Sequence, residues 1–81
     1  QSNAFQDQKK IKSLKNKLSA VESKISALEK EIKEIDHNLL MDYDATIAKP
    51  NFFDTYQGKK KGLEDLMAKW EELTIVLENF D

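Results

Sequence analysis

The side chains in this sequence that are most clearly suited to binding chemistry are lysines, nine of which form two groups. All 13 basic residues are lysines, and arginine is absent. The first group is Lys9, Lys10, Lys12, Lys15 and Lys17, and the second is Lys49, Lys59, Lys60 and Lys61. Lysines attract nucleic-acid phosphates by charge alone. The second group, with Tyr43 and Phe53 close by in the chain, is the better candidate for a nucleic-acid contact, and Lys9, Lys10 and Lys12 come second.

The same lysines have another interpretation, as a solvated face that is neutralised by acidic neighbours. The 15 Asp and Glu residues outnumber the lysines, and the net charge is -2. Since a negative protein repels a phosphate backbone over about 8–10 Å, any attraction must be local. We therefore expect few phosphate contacts and weak binding at physiological salt, and the sequence leaves both interpretations open.

Other patterns that could carry chemistry fail on inspection. The segment 42–46 imitates the start of a calcium loop, but Ile47 stands where the sharp turn needs glycine and Phe53 where the bidentate glutamate belongs. His37 is the single histidine and cysteine is absent, so we expect no metal site and no nucleophile with its base. The two glycines form no phosphate-binding loop. We predict no catalytic residue and no cofactor in this chain.

Length and composition restrict the architecture to one small helical domain. The chain has 81 residues with two glycines and one proline, too few turn formers for a β-sandwich or a barrel. Its longest apolar runs are three residues, so we expect no membrane span and a cytoplasmic location. Residues 1–4 resemble the remainder of a cleaved purification tag, and we expect residues 5–81 to be a single domain from a longer protein.

Two heptad patterns predict two helices. In both, apolar residues recur with gaps of three and four. The first run is Ile11, Leu14, Leu18, Val21, Ile25, Leu28, Ile32, Ile35 and Leu39. The second is Phe52, Tyr56, Leu63, Leu66, Trp70, Leu73, Leu77 and Phe80, with Lys59 as the one polar member. Pro50 lies in the break, where it stops a continuing helix and suits a first helical turn.

The two runs match when the chain folds back on itself. Facing positions of an antiparallel pair have a constant index sum, and the nine pairs from Leu39 with Phe52 to Ile11 with Phe80 all sum to 91. The lysine-rich start would then lie beside the acidic end, which favours this direction. We predict an all-α fold, a two-helix antiparallel coiled-coil hairpin with helices near 9–41 and 51–79 and a tip at 42–50.

The predicted hairpin leads to three further expectations about individual side chains. Trp70 should lie deep in the seam opposite the smaller Val21, and Trp70→Ala should be the most damaging seam substitution. Lys59 should lay its stem along the seam and keep its ammonium in water, while Glu29 is a partner for Lys60. Ile75 and Val76 fall outside the seam, where they form either a partner surface or ordinary exposed residues.

Three segments resemble the C-terminal coiled-coil domain of ABC-F ATPases of the Uup type. They are the run Ser26–Ile32, the segment Pro50-Asn51-Phe52-Phe53, and Lys69-Trp70-Glu71-Glu72-Leu73. The family has a lysine- and glutamate-rich first helix, a Pro-x-x-Phe motif at the tip, and a tryptophan followed by acids and leucine on the returning helix. The resemblance covers about residues 9–80. Lys69 stands where family members often carry arginine.

The resemblance implies a parent protein with two ATP-binding cassettes, ATP and Mg²⁺ as its cofactors, and no transmembrane domain. Such proteins act in the cytoplasm on ribosomes or branched DNA, and this domain would be their non-catalytic nucleic-acid or ribosome-contacting arm. Pro50 and Phe53 would shape its tip. Two alternatives remain: a structural spacer or dimerisation hairpin without a nucleic-acid role, and a tRNA-binding arm, which usually carries more arginine.

Overall fold

The structure, a computed structural model, describes the backbone of residues 4–80 and the side chains of residues 7–80. That part of the chain contains three helices and no β-strand: α1 (Ala4–Met41), α2 (Tyr43–Ile47) and α3 (Phe52–Glu78). The long helices α1 and α3 pack against each other, and the molecule measures 63 × 16 × 16 Å. The predicted all-α helical hairpin is therefore confirmed.

The helix limits differ from the sequence-based limits at two places. α1 begins at Ala4, inside the segment that resembles a tag, rather than near residue 9; the rest of that segment lies outside the described residues. The tip was expected to be a plain connection, yet it contains the short helix α2. Asp42 separates α2 from α1 with an extended φ of -151°, so the chain changes direction there without a glycine.

The contacts between the long helices follow the antiparallel register. Trp70 Nε1 donates a hydrogen bond to Glu22 Oε2 at 2.9 Å. The Tyr56 hydroxyl donates to Asp36. In both pairs the residue numbers sum to one more than 91, as expected for neighbours of the facing positions. Gly62 lies where an added Cβ would be 3.4 Å from Leu28 Cδ2, so this glycine marks a close approach of α3 to α1.

The enclosed core of the hairpin is small. Only Ile32, Phe52 and Leu73 are buried hydrophobic residues among the described side chains, and most other seam residues are half-buried. Two helices cover a seam from two sides and leave both flanks open to water, which explains this partial burial. The expectation that Trp70 lies deep in the seam is wrong, because it is 38% exposed; Phe80, at the open end of the seam, is also exposed.

Thr46 connects α2 to the end of α1 in the interior of the tip. Its side chain is buried, and its hydroxyl lies 3.0 Å from the carbonyl oxygen of Asn38 and 2.6 Å from that of Asp42. A hydroxyl has one hydrogen to donate, so the two carbonyl oxygens compete for it. This contact ties α2 to the last turn of α1, and it adds to the backbone hydrogen bond that the Asn38 carbonyl oxygen accepts from Asp42 N at 2.8 Å.

A tight turn leads from α2 into α3. Phe52 N donates to Lys49 O at 3.2 Å, which makes Pro50 and Asn51 the two central turn residues. Asn51 has a φ of 57°, a left-handed conformation that asparagine tolerates better than most residues. Pro50 therefore precedes the helix and occupies a turn position rather than the expected first helical turn. This placement agrees with the preference of proline for the second residue of a turn.

Candidate functional site

The three consecutive lysines of α3 do not form one surface. Successive helical residues point about 100° apart. Lys59 is half-buried and pairs with Glu31 of α1. Lys61 pairs with Asp65 at 3.2 Å, and the Lys60 ammonium lies 4.4 Å from the centroid of the Tyr56 ring. Each lysine thus has a different neighbour, and the cluster that the sequence suggested is divided.

These contacts settle two of the expectations about lysine partners. The Lys59 ammonium is neither enclosed nor unpaired, which confirms the expectation for this residue. The pairing of Lys60 with Glu29 is wrong, because Lys60 instead makes a cation–π contact. The sequence could not show this arrangement, since the direction of each side chain depends on which acids and aromatic rings α1 and α3 bring near it.

The tip is apolar and acidic rather than basic. Four large side chains stand exposed on or beside it: Leu40, Met41, Tyr43 and Phe53. Its formal charges, over residues 42–54, are those of Lys49 and of three aspartates at 42, 44 and 54. Lys49 itself is exposed. The tip therefore offers aromatic faces and one cation, which suit stacking better than phosphate binding.

Phe52 and Phe53 differ in burial at the tip. Phe52 is buried, and its ring stacks on Tyr56 with centroids 5.7 Å apart. Phe53 meets the Phe52 ring edge-on at 5.1 Å but is itself 55% exposed. The resemblance assigned the shaping of the tip to Pro50 and Phe53, whereas the structure places Phe52 in the interior. Phe53 is available for contact with another molecule.

The base lysines lie at the opposite end of the rod from the tip. Lys9, Lys10 and Lys12 are exposed on α1. Lys10 lines a shallow hollow with Leu14, Val76 and Phe80, where the start of α1 meets the end of α3. Because α1 is 38 residues long, these lysines and the tip are separated by most of the rod's length. The two lysine groups therefore cannot act as one site.

A groove on the side of the hairpin was not found by sequence reasoning. It has a volume of about 750 Å³ and lies between α1 and α3. Its floor is apolar and includes Ile25, Met67, Trp70 and Ile75, and four glutamates, Glu22, Glu29, Glu71 and Glu78, also line it. The exposed Ile75 was the available signal, because it lies outside the heptad seam. Its neighbour Val76 lines the hollow beside Phe80 instead.

The remaining candidate groups are occupied by structural contacts or lie apart. Asp36 accepts the Tyr56 hydrogen bond, and His37 beside it is exposed. In the segment that imitates a calcium loop, the Thr46 hydroxyl is directed to backbone carbonyls. Among the described residues, no three His, Cys, Asp or Glu side chains are arranged to hold a metal ion. Within residues 4–80, likewise, no helix combines the length and apolar character that crossing a bilayer requires.

Comparisons with protein-family models, curated proteins and solved structures return no match for this chain. The resemblance to the ABC-F coiled-coil domain rests on the three quoted segments alone and stays a prediction.

Proposed function

We propose that this chain is a non-catalytic accessory arm of an ABC-F type ATP-binding protein and that its tip contacts nucleic acid, as free DNA or within a ribosome. The observation that carries the proposal is the ordered tip at one end of a 63 Å rod. A hairpin that served only as a spacer needs a short connection. Here the connection has its own helix, a buried threonine and a defined turn, which together hold Tyr43 and Phe53 in place.

The hairpin geometry suits an arm that reaches outward. The start of α1 and the end of α3 lie at the same end of the rod, because Lys10 and Leu14 share a hollow with Phe80. An arm held at that end presents its tip at a distance set by the length of the long helices. The helix contacts and the hydrogen bonds of the tip give the connection a defined conformation.

The tip chemistry favours unpaired bases over a regular duplex. Exposed aromatic rings such as Tyr43 and Phe53 stack on bases, and each stacked base contributes about 1–3 kcal/mol. Lys49 is the one lysine within residues 42–54 for phosphate contacts, while the three aspartates of the tip repel phosphates. Loops of structured RNA and the junctions of branched DNA expose such bases. We therefore propose them as the target class, with few phosphate contacts.

The proposal is tested by binding titrations with fluorescently labelled single-stranded, duplex and branched DNA, and with ribosomes. The double variant Tyr43→Ala/Phe53→Ala should lose most of the binding to single-stranded and branched DNA. The matched control is Ile75→Ala/Val76→Ala, which removes exposed side chains far from the tip and should bind normally. Equal binding by both variants would refute the tip as the site. Absence of binding to every target would favour the structural-spacer interpretation.

A further inference from the structure

We infer that the lateral groove between α1 and α3 is a docking site for one amphipathic helix whose apolar face is flanked by lysines or arginines. The groove lies on the side of the rod, away from the tip, so this inference goes beyond the proposed function. Three features of the groove carry it: its shape, its exposed apolar floor and the charge of the residues that line it.

The shape of the groove is that of two helix faces side by side. The α3 residues that line it recur with helical spacing from Met67 to Glu78, and the α1 residues do so from Glu22 to Glu29. Each set therefore occupies one side of its helix. A third helix laid along such a trough packs its side chains between those of both walls, as helices do in bundles. An α-helix is therefore the secondary-structure element that fits this groove.

The floor of the groove carries more exposed apolar surface than the structure of the hairpin requires. Met67 is 51% and Ile75 52% exposed, and Trp70 adds the face of an indole. The indole is held in position, because its Nε1 donates to Glu22. Large aromatic side chains in a pre-formed position are the typical anchors of protein interfaces. Covering these three residues would complete a core that two helices leave open.

The negative charge of the groove indicates which residues should flank the apolar face of the partner helix. Glu22, Glu29, Glu71 and Glu78 all line it, and no lysine does. A helix with Lys or Arg beside its apolar face would place positive charge against these carboxylates. Acidic partners would be repelled by the same four groups, which gives selectivity as well as attraction.

A second copy of this chain is a poor occupant. The same groove on another copy would bring glutamates against glutamates. The α1 helix of another copy has its apolar residues in its own seam: among its described side chains, only Leu40 and Met41 are large, apolar and exposed, and both lie at the tip end. The occupant is therefore a helix of a partner protein.

Trp70 makes the test direct, because it is the single tryptophan and lies in the groove. The probe is a tryptophan-free peptide of about 18 residues, five helical turns, with leucines on one face and lysines elsewhere. A second peptide has glutamate in place of every lysine. The lysine peptide should shift the Trp70 emission to shorter wavelength and bind at least about tenfold more tightly than the glutamate peptide.

Two variant pairs locate the site. Glu71→Lys/Glu78→Lys leaves two glutamates and two lysines in the groove and should remove the preference between the two peptides, whereas the control Glu64→Lys/Glu72→Lys makes the same charge change outside the groove and should keep it. Ile75→Ser should weaken binding of the lysine peptide by about tenfold. Its control, Val76→Ser, changes a similar exposed residue of the neighbouring hollow and should have little effect. Far-UV circular dichroism confirms that each variant remains helical.

Several results would overturn the inference. Binding without a change in Trp70 emission, equal loss in a groove variant and its control, or equal affinity for both peptides would each place the contact elsewhere. Sedimentation equilibrium of the chain alone tests self-association. A dimer that Ile75→Ser dissociates would make the groove an interface between copies, and the inference of a basic partner helix would then be wrong.

Discussion

The partial exposure of Trp70 predicts a reversal in the order of two core substitutions. Heptad position alone ranks Trp70→Ala as the most damaging change, at about 3–5 kcal/mol for truncation of a large aromatic residue. The structure ranks it below Leu73→Ala, because Leu73 is only 6% exposed while Trp70 borders an open groove. The two residues lie on the same helix, less than one turn apart, so the two substitutions are made in nearly the same helical context.

The magnitude follows from the surface that each side chain covers. A fully buried aromatic side chain removes about 150–250 Å² from water, so the 38% exposed Trp70 removes roughly 90–150 Å². At about 25 cal/mol per Å², and with the unfolded chain covering part of this area, the loss is about 2 kcal/mol. Water fills the space in an open groove, so no cavity term is added. Leu73→Ala should cost about 3–4 kcal/mol, because it leaves a void between the helices.

The assay is urea denaturation followed by far-UV circular dichroism, with a fixed concentration of trimethylamine N-oxide so that weakened variants begin folded. Ile75→Ala serves as the control for loss of an exposed apolar residue and should cost under about 1 kcal/mol. The reasoning is refuted if Trp70→Ala lowers the free energy of unfolding more than Leu73→Ala does. That result would mean that the indole is enclosed, and it would also remove the floor of the proposed docking groove.

Three further substitutions test the tip and the returning helix. Thr46→Val keeps the shape of the buried side chain but removes its hydroxyl; it should lower the free energy of unfolding by about 0.5–1.5 kcal/mol, as measured in urea, because the hydroxyl contact with the carbonyl oxygens of Asn38 and Asp42 is lost while their backbone N–H donors remain. Gly58→Ala should raise the melting temperature through a gain of about 0.5–1 kcal/mol, since an added Cβ meets nothing within 4 Å; an unchanged or lower melting temperature would contradict its position in a regular helix. Asn51→Val places a β-branched residue at a φ of 57° and should destabilise the hairpin by about 1–2 kcal/mol, whereas Asn51→Gly should be tolerated in the same denaturation experiment.

The helices and their pairing are encoded in the spacing of apolar residues along the chain. A gap pattern of three and four places one stripe on each helix, and the constant index sum aligns the two stripes in a single antiparallel register. The hydrogen bonds of Trp70 with Glu22 and of Tyr56 with Asp36 agree with that register. The break at Pro50 was also readable, because proline stops a continuing helix; its place in the turn before α3 was not. These features depend on local backbone preferences and on the periodicity of apolar residues, and both can be read from the sequence.

The character of the surfaces was decided only by the tertiary structure. The sequence shows Lys59, Lys60 and Lys61 as one basic run, but their separate contacts with Glu31, a tyrosine ring and Asp65 depend on where α1 and α3 face each other. Trp70 occupies a heptad position, yet its exposure follows from the number of helices around it: two helices cannot enclose a side chain of that size. The lateral groove arises for the same reason, since its walls come from segments far apart in the chain. Heptad spacing specifies which side of a helix is apolar, and only the assembled helices determine how much of that side remains in contact with water.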